Sequence, residues 1–83
     1  MDFERARRQV ELVEAKAELQ RLALEGDVLL TELRLATDPL MADAWFDLDL
    51  ARAEAVMTRL KSLWDQVRQV RGRLERLREA LGL

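Results

Sequence analysis

The protein has 83 residues and a mass of 9.6 kDa, which is enough for one small domain. Charged residues make up 36% and apolar residues 49% of the chain, with three Gly and one Pro. This composition is typical of long helices and excludes a sandwich, a barrel or a disulfide scaffold. His, Cys and Tyr are absent, so the usual general bases, thiol nucleophiles and soft metal ligands are missing. We therefore expect no enzymatic activity, no cofactor and no metal.

The charge and the hydropathy of the chain indicate its location and the classes of partner to expect. The net charge of −2 argues against nucleic acid as a preferred partner of the whole molecule. The first eight residues hold no apolar run, so we expect no signal peptide. No apolar stretch approaches the roughly 20 residues of a membrane span. These features predict a cytoplasmic protein that does not associate with membranes.

The single proline divides the chain into two predicted helices, at about residues 2–36 and 39–81. Asp38 is a favourable N-cap, and Pro39 suits the first helical position but disfavours a helix at the residue before it. A connection of only about residues 37–39 makes the helices antiparallel neighbours. We therefore predict an all-α helical hairpin that forms a single domain spanning the whole chain.

The first predicted helix is apolar on two opposite faces. One stripe has heptad spacing and consists of Leu12, Ala15, Leu19, Leu22, Gly26, Leu29, Leu33 and Ala36. The other consists of Phe3, Ala6, Val10, Val13, Ala17, Leu24, Val28 and Leu35. The chain has one further helix, which can cover only one stripe. The pattern predicts an oligomer, most simply a homodimer forming a four-helix bundle. Alternatively, the second stripe, with its small alanines, is a tolerated exposed surface.

Gly26 lies within the first stripe. The heptad phase runs through it without a slip, which predicts a continuous helix. Its missing side chain then allows a neighbouring helix to approach closely. The alternative is a break at Glu25-Gly26-Asp27, in which Asp27 becomes the N-cap of a third helix.

The second predicted helix has the most regular pattern. Eight apolar residues alternate at spacings of four and three, as in a coiled coil: Val56, Leu60, Leu63, Val67, Val70, Leu74, Leu77 and Leu81. Trp64 follows Leu63 and widens this face, either as a core residue or as a binding hot spot. The candidate oligomer interface combines both helices: Phe3, Val10, Val13, Ala17, Leu24, Val28, Leu12, Leu19, Leu22, Leu33, Leu60, Leu63, Trp64, Val67, Val70 and Leu74.

An apolar cluster follows the proline, and it consists of Met41, Trp45, Phe46 and Leu48. Trp45 and Phe46 are adjacent, so they cannot both face one helical seam. One interpretation is that the cluster closes this end of the bundle. The other is an exposed patch that docks a partner protein.

Charge is segregated along the chain. Residues 25–54 hold eight acidic and two basic side chains, a net charge of −6. Residues 59–83 hold seven basic and three acidic side chains, a net charge of +4. The turn end is therefore acidic and the open end is basic, at least in the second helix. This asymmetry favours an antiparallel side-by-side dimer, although screening limits it to near contacts.

The basic residues of the last third suggest a second possible function. Five arginines could track a phosphate backbone, namely Arg68, Arg71, Arg73, Arg76 and Arg78. They spread around the helix, however, and no aromatic residue lies among them to stack a base. A hairpin closed by a short turn would instead bring Arg71 beside Glu4.

The sequence thus favours a protein–protein interaction module that associates with itself and with another protein. It would act as a structural, adaptor or chaperone-like subunit. The alternatives are a nucleic-acid accessory protein and a small regulatory subunit of a separate enzyme.

Overall fold

The computed structural model describes residues 2–41 and 43–83, and of Met41 the backbone alone. Two long helices, α1 (Phe3–Ala36) and α2 (Leu50–Leu81), are joined through two short 3₁₀ helices, Pro39–Met41 and Trp45–Asp47. The helices pack against each other as a rod of 67 × 15 × 15 Å. The described part of the chain contains no strand. The predicted all-α hairpin is therefore confirmed.

Helix α1 is continuous, as the heptad phase predicts, and the alternative break at Gly26 is wrong. An ideal Cβ built on Gly26 would lie 3.5 Å from Leu63 Cδ2, so α2 passes close to the glycine backbone. The helix ends at Ala36, where Thr37 donates both its backbone N–H and its hydroxyl to the Leu33 carbonyl.

The second helix begins later than the sequence predicts. The predicted start near Pro39 is wrong, because α2 begins at Leu50. Asp38 does act as a cap, since its Oδ1 accepts a hydrogen bond from the Leu40 backbone at 2.9 Å. The segment that follows is only a short 3₁₀ helix, however, so the connection is longer than residues 37–39.

A second cap explains the start of α2. The Asp49 side chain accepts a hydrogen bond from the backbone N–H of Arg52 at 3.0 Å. Together with Asp43 and Asp47 it places three aspartates in one short segment. Aspartate disfavours helix interiors, because its side chain competes for nearby backbone groups, and it favours N-caps. The long helix therefore begins at Leu50, directly after Asp49, whose side chain caps it.

The longer connection changes which residues of the two helices lie side by side. Arg5 Nη2 comes within 3.4 Å of the Leu81 carbonyl oxygen, so the predicted neighbourhood of Arg71 and Glu4 is wrong. The pairing is displaced by about ten residues, or roughly three helical turns. At the C-terminus, Gly82 ends α2 in the left-handed conformation (φ 73°), the usual role of a C-terminal glycine.

The interface between α1 and α2, here called the seam, contains two buried clusters. Towards the open end they are Leu12, Ala15, Leu74, Leu77 and Leu81, and towards the turn Leu22, Leu29, Val56 and Leu63. The first stripe of α1 is therefore the one that faces α2. The second stripe lies on the opposite side of α1. Three surfaces of the hairpin are therefore exposed, namely the two edges of the seam and this outer side of α1.

Candidate interaction surfaces

The residues of the candidate oligomer interface separate into two groups. Nine lie in the seam or pack against it, and they hold the single hairpin together: Leu12, Leu19, Leu22, Leu33, Leu60, Leu63, Val67, Val70 and Leu74. The other seven are exposed: Phe3, Val10, Val13, Ala17, Leu24, Val28 and Trp64. Only this second group offers free surface to a partner.

The outer stripe of α1 is the longest apolar surface that the hairpin leaves uncovered. We define it as Phe3, Val10, Val13, Ala17, Leu24, Val28 and Leu35. Its six large residues are each more than half exposed, and Phe3 is 85% exposed. All of them lie on one helix, so the stripe is long but narrow.

The first edge of the seam, here called the glutamate–arginine edge, consists of residues that immediately precede a seam residue. It brings opposite charges together. Arg59 of α2 lies 4.0 Å from Glu32 of α1. Within α1, Arg21 bonds to Glu25 at 2.7 Å and to Glu18. The hydrogen bonds from Arg21 hold the pKa of Glu18 below its ordinary value. Five charged side chains of this edge are thus paired inside one hairpin: Glu18, Arg21, Glu25, Glu32 and Arg59.

An open groove of about 540 Å³ follows the glutamate–arginine edge. It is lined by Arg21, Leu24, Glu25, Val28, Leu29, Arg59, Ser62, Leu63 and Gln66. Most of these residues come immediately before a seam residue, and they come from both helices. Ser62, whose side chain is small, is among these residues. The sequence interpretation missed this groove, because it depends on the register between the helices.

The second edge, the tryptophan edge, consists of residues that immediately follow a seam residue. Since the preceding residues of both helices share the first edge, the following residues share the opposite one. In the middle of the hairpin they are Ala23, Asp27 and Leu30 on α1, and Met57, Lys61 and Trp64 on α2. Leu30 and Met57 are about 40% exposed and Trp64 is 54% exposed. Sequence reasoning identified Trp64 but not its neighbours Ala23 and Leu30 on α1.

Towards the open end, the same positions of the tryptophan edge become mainly basic. Lys16 follows Ala15, Arg71 follows Val70, and Arg78 follows Leu77, and all three side chains are exposed, whereas Glu75, which follows Leu74, is acidic. The predicted arginine run therefore divides between surfaces, because Arg71 and Arg78 lie on the tryptophan edge whereas Arg73 lies towards the other one.

The cluster beside the turn is exposed in the hairpin. The rings of Trp45 and Phe46 meet edge to face with centroids 5.8 Å apart, and they are 74% and 69% exposed. Leu48 is half-buried, and the side chain of Met41 lies outside the described residues. A single hairpin thus presents the two rings to solvent and does not use them to close its end.

Within residues 2–41 and 43–83, no three acidic side chains come together as a potential metal site. Neither described helix is long and apolar enough to cross a membrane. Comparison with known protein families, curated proteins and solved structures gives no match.

Proposed function

We propose that the protein is a non-enzymatic interaction module, in which the hairpin pairs with a second copy as a four-helix bundle and presents its remaining apolar surface to another protein. One observation carries this proposal. Leaving alanine aside, α1 and α2 expose ten large apolar side chains and bury only eight.

The shape of the molecule explains this imbalance. A rod 15 Å across has only two helices in its cross-section, so each helix can bury a single stripe. Domains of this size have little core, and they often gain stability by association. Contiguous exposed apolar residues on a small protein are typical of interaction surfaces. A second hairpin would convert part of that surface into core.

The oligomeric state tests the proposal directly. In sedimentation equilibrium at micromolar concentration we expect about twice the monomer mass of 9.6 kDa. The midpoint of thermal unfolding should rise with protein concentration, because association and folding are linked by mass action. A folded species of 9.6 kDa over the whole concentration range, with a constant midpoint, would contradict self-association.

A further inference from the structure

We propose that the tryptophan edge is the surface that meets the second copy, and that the two hairpins run antiparallel. The acidic turn of each hairpin then lies against the basic open end of the other. This inference rests on the proposed self-association and adds the face and the orientation to it.

The tryptophan edge draws on both helices. A helix in a four-helix bundle needs a face of seam positions plus one flanking position, about three of every seven residues. On this edge Leu30 flanks the seam on α1, and Met57 and Trp64 flank it on α2. The outer stripe lies on α1 alone, and only its residues Leu24 and Val28 reach the groove that both helices line, so most of the stripe cannot bring four helices around a common core.

The tryptophan edge has an excess of positive charge towards the open end. Val70 packs against the cluster that contains Ala15, and the residues that follow these two are Arg71 and Lys16. Among the following positions of this end, Glu75 is the one acid, against the bases Lys16, Arg68, Arg71 and Arg78. A partner that brings carboxylates to Lys16 and Arg71 would offset this excess.

The hairpin itself carries those carboxylates at its other end. The turn half, residues 25–64, has eight acidic and four basic side chains, a net charge of −4. The open half has eight acidic and ten basic side chains, a net charge of +2. On the turn half Asp43, Asp47 and Glu54 are exposed. An antiparallel second copy places these acids near the basic edge, whereas a parallel copy would place like charges together.

Four apolar residues of the tryptophan edge, here called the apolar patch, determine how far the two hairpins overlap along the rod. They are Ala23, Leu30, Met57 and Trp64, and they lie on the turn side of the middle of the rod. A two-fold axis through this patch, perpendicular to the rod, lays the turn of each hairpin over the region of Lys16 and Arg71. The same axis passes close to Lys61, which places this residue next to its symmetry mate, and close to Asp27, which lies at the corresponding position across the seam. Thr37 would lie about 30 Å from its mate, given ~1.5 Å per residue.

Cysteine cross-linking tests the face. The chain has no native cysteine, so single-cysteine variants report on one site each. Lys61→Cys and Ser62→Cys are a matched pair, because both positions are exposed and adjacent but lie about 100° apart around α2. With a short bis-maleimide we expect a covalent dimer from Lys61→Cys and little from Ser62→Cys. The reverse result would overturn the choice of edge.

Charge variants on exposed positions separate this inference from the proposed function. Trp64→Glu and Leu24→Glu alter the tryptophan edge and the outer stripe respectively, and neither removes a buried side chain. Circular dichroism should show helical protein for both. We expect Trp64→Glu to raise the dimer Kd on the order of 100-fold, since it buries an unpaired carboxylate, whereas Leu24→Glu should leave it nearly unchanged.

The outcomes are distinguishable. If Leu24→Glu dissociates the dimer and Trp64→Glu does not, the proposed self-association stands but this face is wrong. If the wild type is a folded monomer, both fail. A monomer that binds mixed DNA or RNA and is released by salt would show that the basic edge serves a nucleic acid instead. Spin labels at Thr37 test orientation, where about 30 Å supports the antiparallel dimer and close approach of the two turns refutes it.

Discussion

The two edges of the seam are made by the same pair of helices but differ in chemistry. On the glutamate–arginine edge, Glu32 and Arg59 face each other and Arg21 binds two glutamates. On the tryptophan edge, Met57 and Trp64 are exposed, and the charged residues nearer the open end are mainly basic. The first edge therefore pairs several of its charges within one hairpin, whereas the second leaves large apolar side chains and an excess of positive charge exposed.

This division follows from one step along each helix. A residue just before a seam position lies on one edge, and a residue just after it lies on the other. The preceding positions hold Glu18, Glu25 and Glu32 on α1, of which the first two bind Arg21 of the same helix and the third lies 4.0 Å from Arg59 of α2. The following positions hold Ala23, Asp27 and Leu30, then Lys16 nearer the open end. The heptad therefore gives the two edges different chemistry.

The largest expected effect comes from breaking the seam, on which both edges depend. Leu22 is 1% exposed and lies in the cluster near the turn. Leu22→Ala should lower the free energy of unfolding by about 2–5 kcal/mol, because it removes buried surface and leaves a cavity. The measurement is chemical denaturation followed by circular dichroism at one fixed protein concentration.

Leu24→Ala is the matched control, since Leu24 is 67% exposed on the outer stripe. Its effect on unfolding should stay within about 0.5 kcal/mol. Equal losses for the two variants would show that the outer stripe is as buried in solution as the seam. The contrast between covered and open surfaces would then need revision.

A substitution at Gly26 is expected to have a smaller effect, which raises the free energy of unfolding instead of lowering it. Glycine in a helix interior is less favourable than alanine by about 1 kcal/mol. The new Cβ would meet Leu63 Cδ2 at 3.5 Å, an ordinary contact. Gly26→Ala should therefore raise the free energy of unfolding by up to about 1 kcal/mol, measured by denaturation. A clear loss of stability would mean that the helices approach each other more closely than this spacing.

The sequence was sufficient for the two helices and for the buried face of α2, but not for the connection or for the choice of stripe on α1. A strict heptad leaves only one apolar face of α2 available, whereas α1 has two apolar stripes, and the sequence did not show which of them faces α2. Two aspartates, Asp38 and Asp49, both have the character of an N-cap, and local pattern alone did not show that the second one starts the long helix. The length of the connection determines which residues of α1 and α2 lie side by side, so the predicted neighbours of Arg71 were wrong.

The candidate interaction surfaces, like the fold, were only partly predictable from the sequence. Helical periodicity identifies the outer stripe as one of two apolar faces of α1, but its exposure follows only from the structure, in which α2 covers the other stripe. The tryptophan edge needs the register, since only the pairing of the helices brings Leu30 of α1 to the same edge as Met57 and Trp64 of α2. For this reason Trp64 was identified on α2, but its apolar neighbours on α1 were not.

The smallest predicted effect is confined to the glutamate–arginine edge and concerns pH. Hydrogen bonds from Arg21 lower the pKa of Glu18 in the folded chain. The ionised form is therefore favoured by folding, and its contribution is present above the ordinary glutamate pKa and disappears as the pH falls through the lowered value. Glu18→Gln should unfold at slightly lower temperature than the wild type at pH 7, and the gap should close in acid. Solvent exposure keeps this difference small. A gap that persists at low pH would show that the amide changes the helix for another reason and that the ion pair with Arg21 contributes nothing.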